Sequence, residues 1–255
     1  VNPLVSCGGC FYCSCGKNNL CITRQIISMP PREGAFAEFI SMPPENLVFI
    51  PDGLSMEKSS LAEPLACGWH AVKLGAKASD VHLKDATCLI IGGGAIGLGS
   101  ALALKAQGAT RILLAETNYL RHLALKKACD MEVFNPIEES PIKESEAHLV
   151  IDAVGLKASR EMASQFVSPG GVIMHIGLGE AKEGLDIRRM TLQEITFIGT
   201  YTYTAEDFKD TAQAIFDGKL GSLDWIDIRP LKDGHKSFNE ILTGEASSPK
   251  IILKP

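Results

Sequence analysis

The sequence lacks several features that would assign it to a membrane, nucleic-acid-binding or secreted class. No apolar run reaches the length of about 18 residues that a membrane span requires. The formal net charge is −5 at pH 7 and there is no basic stretch, so we expect no nucleic-acid partner and no membrane association. The chain starts at Val1 without a charged or apolar leader, so no secretion signal is visible. We expect a cytoplasmic protein with further residues upstream of Val1.

The composition is ordinary for an α/β protein. The 255 residues are 45% hydrophobic and 22% charged, and they include 24 glycines. This length allows one or two domains with a substantial core.

Cysteine is abundant, but mostly in one place. Five of the eight cysteines fall within a stretch of 15 residues and the others are scattered, which favours metal binding in a reducing compartment over a disulfide framework. Cys7, Cys10, Cys13 and Cys21 have the spacing C-x2-C-x2-C-x7-C, and four thiolates close a tetrahedral shell without a position for water or substrate. The pattern predicts structural zinc rather than disulfides or an iron–sulfur cluster. Cys15 could replace Cys13 as a ligand; alternatively it is a free surface cysteine.

A glycine-rich turn follows the apolar run at residues 88–91. Gly92, Gly94 and Gly97 have the spacing G-x-G-x-x-G and lead into a helical pattern. Gly92 can make a tight turn, Gly94 leaves room for a pyrophosphate, and Gly97 lets the helix pack on the strand. The N–H groups at the start of the helix can then bind the phosphates. An ordinary strand-to-helix connection is the alternative.

A second apolar run, residues 111–115, ends in Glu116, nineteen positions after Gly97. A carboxylate here can accept hydrogen bonds from both hydroxyls of an adenosine ribose, and it repels a 2′-phosphate. The unit therefore predicts a dinucleotide site that prefers NAD over NADP. Arg121 either offsets part of that repulsion or lies along the adenine face.

Three more apolar runs have glycine at or just past their ends. They are residues 148–152, 171–176 and 195–199. Alternation of such strands with helices predicts a doubly wound parallel sheet, in which ligands bind at the carboxyl ends of the strands. Gly155, Gly177 and Leu178 are then expected to border the nicotinamide half of the dinucleotide, although they could be plain turn residues.

The two ends of the chain have a different pattern. Short strands are predicted at residues 35–40 and 47–50, among prolines that suit a small sheet or barrel. The tail, residues 226–255, predicts a strand, a helix over 237–243 and a final strand over 250–254. Both ends are therefore expected to form a β-rich lobe.

A helical, mostly apolar stretch lies at residues 61–72. Burying the carboxylate of Glu63 there costs free energy unless it is paired or bound to metal, so Glu63 and Cys67 are candidates for a metal shell. A helix-cap interaction for Glu63 and simple packing for Cys67 are the alternatives. We expect His70 to be packed or hydrogen-bonded rather than a metal ligand, and His175 to lie in the core.

Four features occur in order along almost the whole chain. They are the four-cysteine cluster, Glu-Pro-Leu at residues 63–65, the glycine turn and the closing Lys-Ile-Ile-Leu at residues 250–253. In this combination the sequence resembles the zinc-containing medium-chain dehydrogenase/reductase family, and within it the sorbitol (polyol) and threonine dehydrogenase-like branch. The resemblance implies a Rossmann domain inserted into a β-rich GroES-like catalytic domain that is incomplete at its N-terminus. The implied limits are residues 1–65 for the catalytic part with the zinc loop, 66–203 for the NAD-binding Rossmann domain and 204–255 for the return to the catalytic domain.

The resemblance also implies which residues contact NAD. Most of the branch has Asp where this chain has Glu116, which keeps the charge. Polyol enzymes tend to carry Arg where this chain has Thr202, which is a departure from the polyol pattern. The implied contacts are Gly92, Gly94, Ala95, Ile96, Gly97, Glu116, Arg121, Ile176, Gly177, Leu178, Thr200, Tyr201 and Thr202.

The activity that the resemblance implies is hydride transfer between a secondary alcohol, such as a polyol or a related small hydroxy compound, and NAD. In the family a catalytic zinc acts as a Lewis acid on the hydroxyl, held by a Cys, a His-Glu pair and often the Glu that corresponds to Glu63. The Cys and the His-Glu pair precede the structural-zinc loop in the family. Glu63 is the only member of that shell in this sequence, so we expect the catalytic zinc to need residues that the sequence lacks and this chain to turn over poorly by itself.

Two other functions stay open. The chain could be a non-catalytic dinucleotide-binding protein with structural zinc only, or an NADP-dependent alcohol dehydrogenase. In the family, the strand that corresponds to residues 195–203 pairs with its equivalent in a second subunit. We therefore expect a homodimer or homotetramer, with a covered edge as the alternative.

Overall fold

The secondary structure comes from a computed structural model, which describes residues 1–128 and 131–255. Cys129, one of the eight cysteines, lies outside the described residues. The strands are Leu4–Val5 (β1), Gln25–Ile26 (β2), Thr87–Ile91 (β3), Arg111–Ala115 (β4), Glu132–Phe134 (β5), Ala147–Asp152 (β6), Val167–His175 (β7), Thr196–Gly199 (β8), Ile226–Pro230 (β9) and Lys250–Lys254 (β10). The helices are Phe11–Ser14 (α1), Met56–Ser59 (α2), Ala62–Ala78 (α3), Ala95–Ala106 (α4), Tyr119–Ala128 (α5), Lys157–Phe166 (α6), Ile187–Leu192 (α7), Ala205–Phe216 (α8) and Gly234–Leu242 (α9).

The central sheet has six parallel strands in the order β5-β4-β3-β6-β7-β8. From β3 the chain first adds β4 and β5 on one side and then β6, β7 and β8 on the other. This is the strand order of a dinucleotide-binding Rossmann domain, in which the ligand crevice lies at the carboxyl ends of the strands where the order reverses. The predicted doubly wound fold is therefore confirmed.

Helices cover both faces of this sheet because its central strands are apolar at successive positions. All five residues of β3 are buried. Ile90 packs in one core cluster with Val72 of α3 and Leu98 of α4. Leu89 packs on the opposite face with Phe166 of α6. Such doubly buried strands give the continuous apolar runs by which the sequence revealed them. None of the described helices combines the length and the hydropathy that crossing a membrane requires.

A hydrogen-bonded cluster around the buried carboxylate of Asp207 joins α3 to α8. The Nδ1 atom of His70 lies 2.7 Å from Oδ2 of Asp207, and Nζ of Lys73 lies 2.8 Å from Oδ1 of the same carboxylate. Thr204 caps α8 by accepting the N–H of Asp207, whose side chain accepts the N–H of Thr204 in return. The expected hydrogen-bonded role of His70 is confirmed. Since α3 is continuous from residue 62 to residue 78, the expected domain boundary after residue 65 falls inside a helix.

The predicted strands at residues 35–40 and 47–50 are wrong, since no strand covers either range. Phe39 and Phe49, which fall within these two predicted strands, are 89% and 91% exposed. A strand exists only where a neighbouring strand accepts and donates its backbone hydrogen bonds, and neither segment has such a neighbour among the described residues. Outside the central sheet, the described strands form only the antiparallel pair β1–β2 and the parallel pair β9–β10.

Candidate dinucleotide and metal sites

Four cysteine thiols converge in the N-terminal loop. The Sγ atoms of Cys7, Cys10, Cys13 and Cys21 all lie within 4.8 Å of one another. A tetrahedral zinc with Zn–S distances of about 2.3 Å requires sulfur atoms roughly 3.8 Å apart, so the four thiols fit a single ion. Cys15 is exposed and lies outside this group, which supports its interpretation as a surface cysteine.

Two of these thiols are already polarised by nearby donors. The backbone N–H of Gly9 and then the hydroxyl of Thr23 hold the pKa of the Cys7 thiol at about 6. The backbone N–H of Cys7 donates to Sγ of Cys21 at 3.4 Å, and this contact lowers the pKa of Cys21. Thiolate is the form that binds metal, so these two positions favour the charge state that a cation needs, whereas burial and then Cys10 raise the pKa of the Cys13 thiol to about 11.

The glycine turn after β3 is tight at two of its three glycines. Gly92 has φ +96°, and a Cβ atom there would lie 2.5 Å from Cγ2 of Val154. A Cβ atom on Gly97 would lie 1.8 Å from the carbonyl oxygen of Gly92, so only glycine lets α4 start this close to the strand. Gly94 is the N-cap of α4, and a Cβ atom there would meet nothing within 4 Å. The open space at Gly94 is where the sequence predicts a pyrophosphate, beside Ala95 and Ile96 at the free amide end of the helix.

Glu116 lies at the end of β4 with its carboxylate turned toward the glycine turn. The residue is 6% exposed. The N–H of Gly93 donates to its Oε2 atom at 2.9 Å, and the N–H of Asn118 donates to its Oε1 atom at 2.7 Å. The Nη1 atom of Arg121 lies 3.5 Å from Oε2, so Arg121 offsets part of the negative charge. These contacts fix the carboxylate while leaving acceptor positions on both oxygens.

Asp152 organises the next two strand ends, and sequence reasoning missed it. It is fully buried at the end of β6, and its Oδ1 atom accepts the N–H groups of Val154 and Gly155 at 3.0 and 2.9 Å. Its backbone carbonyl accepts the N–H groups of Ile176 and Gly177, so one residue holds the turns after both β6 and β7. A carboxylate that ends an apolar strand just before Ala-Val-Gly was the available signal.

The segment after β7 carries three expected cofactor residues. Ile176 is half-buried against the core, Gly177 is buried and Leu178 is 90% exposed. His175, expected in the core, is only half-buried, and its Nε2 atom lies 3.5 Å from Oδ2 of Asp152 without a hydrogen bond.

Residues 200–202 follow β8 and hold unsatisfied polar groups. The N–H of Thr200 donates to the carbonyl of His175 at 3.0 Å. The hydroxyls of Thr200 and Thr202 are buried and have no hydrogen-bond partner among the described residues, as is also true of Nε2 of His175. Buried polar groups without partners cost free energy, so this end of the sheet is suited to a polar ligand such as the carboxamide and ribose of a nicotinamide nucleotide.

Contacts between neighbouring turns place most of the predicted cofactor residues along one edge of the sheet. Gly93 binds Glu116, and Gly92 abuts Val154. A Cβ atom on Gly155 would lie 2.2 Å from the carbonyl oxygen of Gly177, so those two turns also touch. The edge therefore runs from the carboxylate at β4 to the threonines after β8.

Glu63 lies elsewhere, in the first turn of α3, and is half-buried. The hydroxyl of Tyr203 donates to its Oε1 atom at 3.0 Å. Burial and then the Glu63 charge raise the pKa of the Cys67 thiol to about 12, and Cys67 packs against the core cluster that contains Ala66 and Tyr203. Among the described residues the only cluster of three or more potential ligands is the four-cysteine group, and Glu63 is not part of it.

The reversed strand order, the glycine turn and the oriented carboxylate are those of a Rossmann-type α/β protein, and the four-cysteine cluster lies in a separate loop. A family model described as zinc-binding dehydrogenase matches residues 95–217. The (R,R)-butanediol dehydrogenase of Saccharomyces cerevisiae is 28% identical over 265 residues, which cover 96% of this chain and 67% of that enzyme. By these matches the chain is similar to the zinc-containing medium-chain dehydrogenases, and its relatives include butanediol and galactonate dehydrogenases.

Two solved structures share the fold. The L-idonate 5-dehydrogenase of Escherichia coli superposes with a TM-score of 0.87 at 22% identity, covering 99% of this chain and 74% of that one. The acetophenone reductase of Geotrichum candidum, solved in complex with NAD, has a TM-score of 0.86 at 21% identity and covers 98% of this chain and 71% of that one. Both likenesses confirm the arrangement of the elements.

Proposed function

We propose that the protein is a zinc-dependent oxidoreductase that transfers hydride between NAD and a secondary alcohol, such as a polyol or a related small hydroxy compound. The observation that carries this proposal is the carboxylate of Glu116, held in the glycine turn by the N–H of Gly93 at 2.9 Å. A fixed carboxylate at this place accepts hydrogen bonds from a ribose diol and disfavours a 2′-phosphate.

The chain's own residues account for binding and orienting the dinucleotide. In the proposed pose the pyrophosphate lies over Gly94 at the N-terminus of α4, where the backbone leaves open space. The nicotinamide end lies along the turns that carry Gly177 and Thr200, near the buried hydroxyls of Thr200 and Thr202, which have no hydrogen-bond partner among the described residues. The turn-to-turn contacts along the sheet edge keep the two ends of the site in a fixed relation.

Zinc would be held by Cys7, Cys10, Cys13 and Cys21. Four thiolates complete the tetrahedral shell, so this ion would stabilise the loop rather than touch substrate. Glu63 is proposed as the catalytic-shell residue, oriented by the hydroxyl of Tyr203. The described residues offer no further ligand beside Glu63, so they do not by themselves form a catalytic zinc site.

A titration with both coenzymes tests the proposal. NADH should bind the zinc-loaded protein more tightly than NADPH, and Glu116→Ala should weaken NADH binding by about tenfold while narrowing the difference between the coenzymes. Glu139→Ala, which removes an exposed carboxylate downstream of β5, serves as the control and should change neither value. Tight NADPH binding by the unmodified protein would contradict the assignment of Glu116.

Two alternative functions are each favoured by one observation. Arg121, 3.5 Å from Glu116, could receive a 2′-phosphate, which favours an NADP-dependent alcohol dehydrogenase; the same titration separates the two coenzymes. The single four-cysteine cluster among the described residues favours a non-catalytic dinucleotide-binding protein. Zinc analysis separates this candidate from the enzyme, because two zinc ions per subunit of the natural protein support catalysis and one supports binding alone.

The assembly is proposed to be a homodimer or homotetramer, in the cytoplasm, acting on a small-molecule alcohol or ketone. Among the described strands β8 pairs with β7 alone, which leaves its other edge for a second subunit in the proposed assembly. We also propose domain limits at residues 1–65, 66–203 and 204–255. The first of these boundaries lies within helix α3, which continues from one domain into the next.

A further inference from the structure

Residues 7–24 form the metal loop and residues 200–205 form the turn segment. Three side chains of the metal loop contact the turn segment. The Nδ2 atom of Asn19 donates to the carbonyl oxygen of Tyr201 at 2.8 Å. The Oδ1 atom of Asn18 accepts the N–H of Ala205 at 3.0 Å. The guanidinium of Arg24 lies over the ring of Tyr201, 4.7 Å from its centroid. More than 175 positions separate each contact pair in the sequence.

These three side chains are tied closely to the thiols. Asn18 and Asn19 lie in the short turn that leads to Cys21, and Asn19 is 4% exposed. The Nη1 atom of Arg24 donates to the carbonyl oxygen of Cys21 at 3.1 Å. Because the loop contains only one four-residue α-helix and one single-turn helix, the bonds between its thiols and an ion would set the path of its backbone.

The turn segment depends on such outside contacts. Thr202 has φ +47°, a left-handed conformation that a β-branched residue adopts only when its surroundings impose it. Ala205 is the first residue of α8, and its N–H has no acceptor within the helix, so Asn18 supplies the missing one. The carbonyl that Asn19 holds belongs to Tyr201, the neighbour of the left-handed residue.

We infer that Asn18, Asn19 and Arg24 are positioning residues through which the metal loop sets the conformation of the turn segment. Metal occupancy of the four cysteines then controls the nicotinamide end of the coenzyme site, where the buried hydroxyls of Thr200 and Thr202 have no partner in the part of the chain that the structure describes. The effect on coenzyme binding rests on the proposed function. The coupling between the metal loop and the turn segment does not require a coenzyme.

Hydrogen exchange tests the coupling without any coenzyme. Peptides that cover residues 199–208 are compared between zinc-loaded protein, chelator-treated protein and the zinc-loaded variants Asn18→Ala and Asn19→Ala. Exchange at Ala205 should be about fivefold faster in Asn18→Ala, as expected for one lost hydrogen bond, and faster still after chelation. Lys17→Ala, an exposed neighbour, should leave the exchange unchanged. Peptides from β3 and α4 report global unfolding.

The outcome of that experiment decides the inference. If chelation speeds hydrogen exchange in all peptides, the protein has unfolded globally and the chelated sample says nothing about residues 199–208. The two variants then decide the inference, because they keep the zinc ion. Unchanged exchange across residues 199–208 in both variants would overturn the coupling.

Binding of NADH and of ADP-ribose tests the effect on the nicotinamide end of the site. Asn19→Ala should raise the Kd for NADH about fivefold and leave the Kd for ADP-ribose unchanged, since ADP-ribose lacks the nicotinamide and occupies the half of the site near Glu116. Equal weakening of both ligands, or of neither, would contradict the positioning role. If the unmodified protein binds neither ligand, the proposed function fails, while the exchange experiment still decides the coupling.

Discussion

The Oε2 atom of Glu116 accepts the backbone N–H of Gly93 at 2.9 Å, across 23 positions of sequence. The bond brings the end of β4 against the turn that follows β3, because the two strands are adjacent and parallel. A carboxylate held in this way needs little reorganisation to receive a ribose, and its charge is partly offset by Arg121. Coenzyme choice therefore depends on one oriented side chain and its counter-ion.

The glycine turn gives a matched pair of substitutions. In Gly97→Ala the new methyl would overlap the carbonyl oxygen of Gly92, so we expect a loss of about 3 kcal/mol in the free energy of unfolding, measured with urea. In Gly94→Ala the methyl meets open space, so stability should change by only ~0.5 kcal/mol. Its NADH affinity should nevertheless fall at least about tenfold, because the methyl occupies the space proposed for the pyrophosphate. Gly94→Ala with unchanged NADH affinity would contradict that placement.

Stability should fall in acid through Asp207. Burial alone would raise the pKa of this carboxyl, but hydrogen bonds from His70, Lys73 and Thr204 outweigh burial and hold the pKa well below its usual range. A lowered pKa gives stability that is present above the unfolded-state value of about 4 and is lost as the pH falls below it. Asp207→Asn should cost about 3 kcal/mol at pH 7 and flatten the loss of stability below pH ~4. Urea unfolding of both proteins from pH 3 to pH 7 measures the free energy of unfolding at each pH. If Asp207→Asn loses stability in acid as steeply as the unmodified protein, Asp207 is not the cause of the loss.

Zinc content distinguishes Cys13 from Cys15. Cys13 belongs to the four converging thiols and Cys15 does not. Cys13→Ser should reduce bound zinc well below one ion per chain, because serine is a poor zinc ligand, whereas Cys15→Ser should leave it unchanged. Atomic absorption after desalting measures the content. The reverse result would make Cys15 the ligand, which the sequence alone left open.

The free edge of β8 should form a subunit contact. Phe197 on this strand is 38% exposed. Sedimentation of the unmodified protein should show a dimer or tetramer, and Phe197→Lys should shift it toward monomer because edge lysines oppose strand pairing. Leu242→Lys, which changes an 82% exposed leucine on α9, is the control and should not alter the assembly. A monomer before any substitution would contradict the proposed pairing.

Local features could be predicted from the sequence because a few neighbouring residues determine them. The spacing of Gly92 and Gly97 specifies a tight turn that local sterics require, and the cysteine spacing specifies a loop that brings four thiols together. The buried strands of the central sheet were recognisable because both of their faces are apolar.

Tertiary structure alone decided which distant segments meet. The predicted strand at residues 35–40 does not form, because a strand depends on a partner that its own sequence does not specify. Asp152 holds two turns, Tyr203 orients Glu63 from 140 positions away, and Asn19 reaches Tyr201 from 182 positions away. Composition and spacing carry no information about such pairs, since each contact exists only after the chain has brought the two residues within hydrogen-bonding distance.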